Sequence, residues 1–134
     1  MPDPKLATIK RYWDSINAGD AQAYLDTFCA DGVAHDPVTG PPLGTSAERR
    51  TFIEGLFDRF PRRRFTLDFV TACGDSTAAK WSLAAVGADG SLVVTEGIDV
   101  CRHSDDGRIR ELWAYPEGAP ASEAAQGPPP SPPG

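Results

Sequence analysis

Apolar side chains recur at helical spacing near the start of the chain. Leu6, Ile9, Trp13 and Ile16 fall on one stripe, Tyr12 sits at its edge, and "NAGD" at 17–20 supplies a stop. A second, shorter helix follows, with Asp20 as its N-cap and Tyr24, Leu25 and Phe28 on its inner side. "DGVAHDP" reads as a turn and a short strand. Thr45 and Glu48 then form a capping box for a third helix, whose face is Phe52, Ile53, Leu56 and Phe60 and whose end is Pro61.

After Pro61 the period changes from 3.6 to two. "FTLDFVTAC" sets Phe65, Leu67 and Phe69 against Thr66, Asp68 and Val70, which predicts a strand with one buried face. Three turn signals, "GD" at 74–75, "GADGS" at 87–91 and "SDDG" at 104–107, separate "STAAKWSLAAV", "LVVTEGIDVCRH" and "RIRELWAY". Short turns between successive strands predict an antiparallel meander, and helices ahead of a meander predict the α+β class with helices on one face of the sheet. The final "GAPASEAAQGPPPSPPG" carries six prolines and almost no apolar bulk. The reading is one domain over residues 1–117 and a Pro/Ala-rich disordered tail over 118–134.

Composition narrows the function. With 40% hydrophobic residues, including 3 Trp and 6 Phe, the chain can build a core. A net charge of −6 argues against nucleic acid as partner, because phosphate recognition rests on clustered Lys and Arg. Arg59, Arg62, Arg63 and Arg64 are a local exception, read as a solvated helix end and loop. "MPDPKLATIKRYW" lacks the apolar stretch of a signal peptide, and no run is long enough to span a bilayer, so no membrane partner is expected. Cys29, Cys73 and Cys101 are an odd set without CxxC spacing. They read as reduced thiols of a cytoplasmic protein with no metal and no cofactor.

The late strand holds the first candidate for chemistry. Val93, Thr95, Gly97, Asp99, Cys101 and His103 share one face, and Leu92, Val94, Glu96, Ile98 and Val100 the other, so either Glu96 or Asp99 must be shielded. An Asp in such a strand is either paired with a cation such as Lys80 or Arg102 or kept for a purpose. Asp36, before Pro37, reads by itself as a turn residue, and Tyr12 by itself as a core aromatic. His35 points to the opposite strand face from Asp36, and His103 lies near a strand end; both read as structural or exposed.

Taken together, "KRYWDSINAGD", "GVAHDPVTG" and "VVTEGIDVCRH" resemble, in order and spacing, segments of the ketosteroid isomerase branch of the nuclear-transport-factor-2-like (SnoaL-like) superfamily. The resemblance runs from about Leu6 to Tyr115. It implies a cone-shaped fold, with three N-terminal helices packed on a strongly curved, mostly antiparallel sheet around an apolar pocket. It also implies a cofactor-independent acid–base enzyme acting on a hydrophobic carbonyl compound of steroid or polyketide type. In that assignment Asp36 is the general base, Tyr12 an oxyanion donor, and Asp99 a protonated acid that is the second donor, a division of labour the ketosteroid isomerases exemplify. Phe28, Phe52, Leu56, Phe60, Trp81, Cys101 and Trp113 are the expected substrate-binding residues, and a homodimer is the expected assembly. Two further readings use the same chain: a polyketide or polyether cyclase, dehydratase or epoxide-opening enzyme, and a non-catalytic ligand-binding or dimerisation domain. Phe28 and Phe52 stand where some ketosteroid isomerases carry supporting tyrosines, so Tyr24 or Tyr115 would have to support Tyr12 instead. "LWAYPEG" also departs from the ending common in the superfamily.

Overall fold

A computed structural model describes residues 3–118. The tail expected at 118–134 lies, apart from Gly118, outside the described residues. The elements run α1 (Pro4–Ala18), α2 (Ala21–Asp26), β1 (Phe28–His35), α3 (Ser46–Arg59), β2 (Arg62–Cys73), β3 (Ser76–Val86), β4 (Leu92–His103) and β5 (Ile109–Pro116).

Local chemistry sets the helix ends. Asp3 caps α1 by accepting from the Lys5 amide at 2.9 Å, with Pro4 opening the helix. Gly19 closes α1 in the left-handed region at φ 71°. Asp20 caps α2 by accepting from the Ala23 amide at 3.0 Å. Thr45 and Glu48 form the expected reciprocal capping box on α3. Asn17, from the "NAGD" stop, donates to the Phe65 carbonyl at 2.9 Å and accepts from its amide at 2.7 Å, tying the end of α1 to β2.

The five strands form one curved, unclosed sheet in the order β1-β5-β4-β3-β2. β2 to β5 pair antiparallel as the meander requires, and β1 adds itself parallel to β5 at the far edge. Phe28 is therefore the first residue of β1 rather than part of the second helix. Arg49 of α3, only 1% exposed, donates to the Gly32 carbonyl and, at 3.5 Å, to that of Cys29. It thereby supplies partners where β1 slips register between Phe28 and Val33.

The strict alternation expected along β2 fails at one point. Leu67 pairs with Trp81 but Phe69 pairs with Lys80, so Asp68 is an extra residue in a bulge. Past the bulge the faces exchange: Phe69 is 63% exposed and Val70 packs on the core. The bulge points Asp68 outward, where it accepts from Ser82 and from Lys80 at 2.9 Å. Lys80 also pairs with Glu96 at 2.9 Å, an ion-pair ladder across three strands.

Ile9, Tyr12, Trp13 and Ile16 of α1 pack on the concave face of the sheet. Trp13 lies 5.1 Å from Phe65 and 5.7 Å from Trp81, ring to ring, while Phe65 and Trp81 are 5.5 Å apart. Such aromatic pairs add about 0.5–1.5 kcal/mol each beyond the area they bury. This cluster fixes one wall of the space left between α1, α3 and the sheet.

Candidate active site

That space is a cavity of about 250 Å³, and Tyr12, Asp36 and Asp99 all line it. Each comes from a different element: the middle of α1, the turn after β1, and the centre of β4. The 36–42 turn is fastened on two sides. The Val38 amide donates to Ala114 of β5 at 3.0 Å, and Ala34 and Leu43 exchange backbone hydrogen bonds at 3.1 and 2.8 Å. Asp36 begins this turn, as its place before Pro37 suggests, and the fastened turn carries its carboxyl at the cavity wall.

Asp99 is 4% exposed. Neither Lys80 nor Arg102 reaches it: Lys80 holds Asp68 and Glu96, and Arg102 is 3.7 Å from Glu111. Its hydrogen-bond partner is Trp81, whose Nε1–H donates to Oδ1 at 2.9 Å. Burial raises the Asp99 pKa well above the carboxylate range, the charge of Asp36 raises it further, and the indole N–H opposes both. Glu96, the other candidate, lies on the convex face in its ion pair with Lys80.

Asp36 is half-buried and lines the cavity. Burial pushes its pKa up to about 7, with the positive charge of Arg59 pulling the other way. The two carboxyls face one cavity, and burial disfavours the charged form of each. Tyr12 is 2% exposed, and burial raises the pKa of its phenol well above the ordinary value. Among the described residues its hydroxyl has no hydrogen-bond partner. Tyr24 supports the ring by packing, centroid to centroid at 5.5 Å, and not by a hydrogen bond. Tyr115, 50% exposed on the convex face, gives it no support.

Gly97 makes the Trp81 contact possible. It sits opposite Trp81 in the ladder, and a Cβ there would overlap the indole ring and lie 2.8 Å from the Tyr115 carbonyl oxygen. Gly97→Ala is expected to cost about 1–3 kcal/mol of stability by overpacking and to displace the indole from Asp99. Thermal unfolding and tryptophan fluorescence check this; a variant that melts and fluoresces like wild type would refute it.

Of the expected substrate-binding residues, Phe52, Leu56, Phe60 and Trp81 line the cavity. Phe28, Cys101 and Trp113 do not. Phe28 lies behind Tyr12, 5.3 Å from Tyr24, and carries the Arg49 guanidinium 4.9 Å over its ring. Cys101 faces inward opposite Thr77 but is 1% exposed and enclosed in the core. Trp113 alternates with the buried Leu112 and Ala114, so it points to the convex face and stacks on His35 at 5.7 Å. His35 in turn pairs with Glu111 at 2.8 Å. His103 is buried and satisfied. Its Nδ1–H donates to the Gly107 carbonyl, and its Nε2 accepts from Thr77, both at 2.8 Å.

The family model of the SnoaL-like domain matches residues 9–112, which include all of the cavity's chemistry. The chain belongs to this family. No curated protein sequence matches it, but solved structures share its fold. The epoxide hydrolase/cyclase-like enzyme SalBIII, with a role in pyran ring formation in the polyether salinomycin, is 17% identical with a TM-score of 0.77, covering 85% of this chain and 91% of its own. The Δ5-3-ketosteroid isomerase of Mycobacterium sp. is 20% identical with a TM-score of 0.71, covering 85% and 93%. An NTF2-like protein of unknown function from Exiguobacterium sp. 255-15 is 22% identical with a TM-score of 0.72, covering 83% and 98%. At such identities the likeness establishes the fold, which in this SnoaL-like chain is the cone-shaped α+β one expected.

Several lining residues of this SnoaL-like cavity escape a reading by sequence. Val93 and Thr95 lie on the Asp99 face of β4, so the period-two pattern already contained them. Arg59 follows Leu56 by three and Phe52 by seven, a helical spacing that puts it on the cavity side of α3. Its charge alone concealed it among the arginines that follow.

Proposed function

We propose that the protein is a cofactor-independent acid–base enzyme that moves a proton next to the carbonyl of a hydrophobic substrate. The observation supporting this is the presence on one cavity of two carboxyls and a phenol that, among the described residues, have no ion pair and, for the phenol, no hydrogen bond. Asp36, near pKa 7, is ionised in a large fraction at neutral pH and takes the proton α to the carbonyl. The enolate oxygen that develops must be stabilised where little water is present, which needs donors already in position. Tyr12 supplies one. Asp99 in its protonated form supplies the other: Oδ1 accepts from Trp81, which leaves Oδ2 to carry the acidic proton toward the substrate. Asp36 then returns the proton to a different carbon, and the double bond moves.

The test uses β,γ-unsaturated ketones of one to four rings and follows formation of the conjugated enone by absorbance. Turnover is expected, and Tyr12→Phe should reduce it by about 10²–10³-fold, the usual effect of losing one oxyanion donor. No enone from any ring size would overturn the isomerase reading.

A second reading is cyclisation with epoxide or hydroxyl activation, favoured by the Asp36 pKa near 7, which makes the same carboxyl available as acid or base. Formation of a ring ether from an epoxy alcohol, without enone formation from the ketones, would select it.

The enzyme is proposed to act as a homodimer through the convex sheet face, where Phe69, Leu92, Val94, Ile98 and Tyr115 are 63%, 75%, 75%, 46% and 50% exposed. Sedimentation should give a dimer that Val94→Lys dissociates. A monomeric wild type would end this proposal.

A further inference from the structure

The four arginines between 59 and 64 part company in the fold. Arg63 is consumed internally: its Nε–H donates to the Ile16 carbonyl at 2.8 Å, its Nη1 to that of Phe60 at 3.1 Å, and it stacks 4.3 Å over Phe57. Arg62 and Arg64 are exposed on β2. Arg59 does something different. Although exposed at the end of α3, it lines the cavity, the one cation to do so among the described residues, and its guanidinium lies 4.9 Å over the ring of Phe60, itself a lining residue. It takes part in no ion pair among the described residues, although Asp36 lines the same cavity. Complementing the α3 dipole would not require the side chain to face the cavity, because a basic residue in the last turn does that in any orientation.

A guanidinium in this position imposes a condition on what binds. A neutral apolar guest would strip water from one side of the charge and return nothing, a cost that an anionic group removes. Size adds a second condition. At about 250 Å³ the enclosed space is smaller than the roughly 300–1,000 Å³ of typical drug-sized ligand sites, so it suits a compact ring system whose far end reaches the mouth.

We propose that Arg59 is a specificity-determining residue, and that the substrate is a one- or two-ring carbonyl compound with a carboxylate at the end remote from the reacting carbonyl. The apolar body occupies the space between Leu56, Phe60 and Trp81, the reacting oxygen meets Tyr12 and Asp99, and the carboxylate meets the guanidinium. This rests on the acid–base reading above for the orientation of the carbonyl end. Asp36 works against the anion when ionised, so the guanidinium must outweigh it, and Phe60 holds the guanidinium in place to do so.

Two fluorescent probes separate the possibilities. 2-Naphthol presents a ring and a hydroxyl that stands in for an enol oxygen; 6-hydroxy-2-naphthoic acid adds a carboxylate at the opposite end. Titrated at low salt, the wild-type protein is expected to bind the acid about tenfold more tightly than the naphthol. Arg59→Met should bring the ratio of the two affinities to about one, and Arg59→Lys should restore part of the preference. Raising the salt to molar levels should shrink the preference in wild type and leave Arg59→Met unaffected. A preference that persists in Arg59→Met, or is absent in wild type, overturns the inference; if naphthol binding still weakens in Tyr12→Phe, the acid–base reading survives that failure. Naphthol binding that is absent, or indifferent to both Tyr12→Phe and Asp99→Asn, removes that reading and the inference with it.

Discussion

Asp36→Asn is expected to lower kcat/KM by about three orders of magnitude, within the range by which a positioned general base accelerates proton transfer. Asn keeps the shape and the turn but cannot accept the proton. The wild-type pH profile should carry the signature of the same group. The active form is the carboxylate, so kcat/KM should rise about tenfold per pH unit on the acid side and level off above about pH 7. In Asp36→Asn the residual activity should lose that inflection. Arg59→Met should move it upward, because the arginine charge pulls the Asp36 pKa down and its removal leaves burial unopposed. An inflection that stays near 7 in Asp36→Asn would assign the titration to another residue and dismiss Asp36 as the base.

The same carboxyls should make the fold less stable than it could be. Asp36 has a folded pKa of about 7 against 3.8 for the free side chain. Below pH 3.8 both states are protonated and the group costs nothing. As pH rises from there to about 7, the unfolded chain releases its proton while the folded one retains it, so stability falls across that window and stays low above it. The full displacement corresponds to a loss on the order of 4 kcal/mol. Asp36→Asn should therefore match wild type near pH 3.5 and melt about 10 °C higher at pH 8. Asp99→Asn should behave with the same sign. Its window also opens at 3.8 but extends further up, because its folded pKa is raised well above the ordinary value. An Asn can keep the Trp81 hydrogen bond, so packing is conserved in that comparison. Using the difference from wild type removes the acid weakening due to Asp3, Asp68, Asp89 and Asp106, whose folded pKa values are lowered. Variants no more stable than wild type at pH 8 would mean that the two carboxyls are solvated, and the catalytic reading would lose its physical basis.

Activity and stability thus pull in opposite directions at the same two positions. A side chain retained for structure alone would lower stability when replaced.

The chain order of helices and strands was legible in the sequence because each element carries its own period and its own ends. The caps at Asp20 and Thr45, the stop at Gly19 and the alternation along β4 are interactions over a few residues, so local pattern suffices to find them. The alternation of β4 also narrowed the buried carboxylate to Glu96 or Asp99. Choosing between them required the sheet, because only cross-strand neighbours show that Lys80 is already occupied by Asp68 and Glu96. The bulge at Asp68 illustrates the same limit in the other direction. One extra residue exchanges the faces of β2, and it is defined by the partner strand and not by the strand's own sequence. Trp113, which the family resemblance puts at the substrate, shows the same dependence on range: β5 turns it to the side where His35 stacks.

What the amino-acid order determined by itself was the set of elements, the α+β class and a short list of groups able to do acid–base chemistry. The tertiary structure decided which of those groups share a cavity, that Asp99 meets an indole N–H instead of a cation, and that Arg59, though exposed, is the one of its cluster that lines the cavity. The division follows from range. Helix caps and strand periods act between neighbours in sequence, whereas desolvation, charge coupling and the facing of a side chain depend on residues such as Tyr12, Asp36 and Asp99, which only folding brings together.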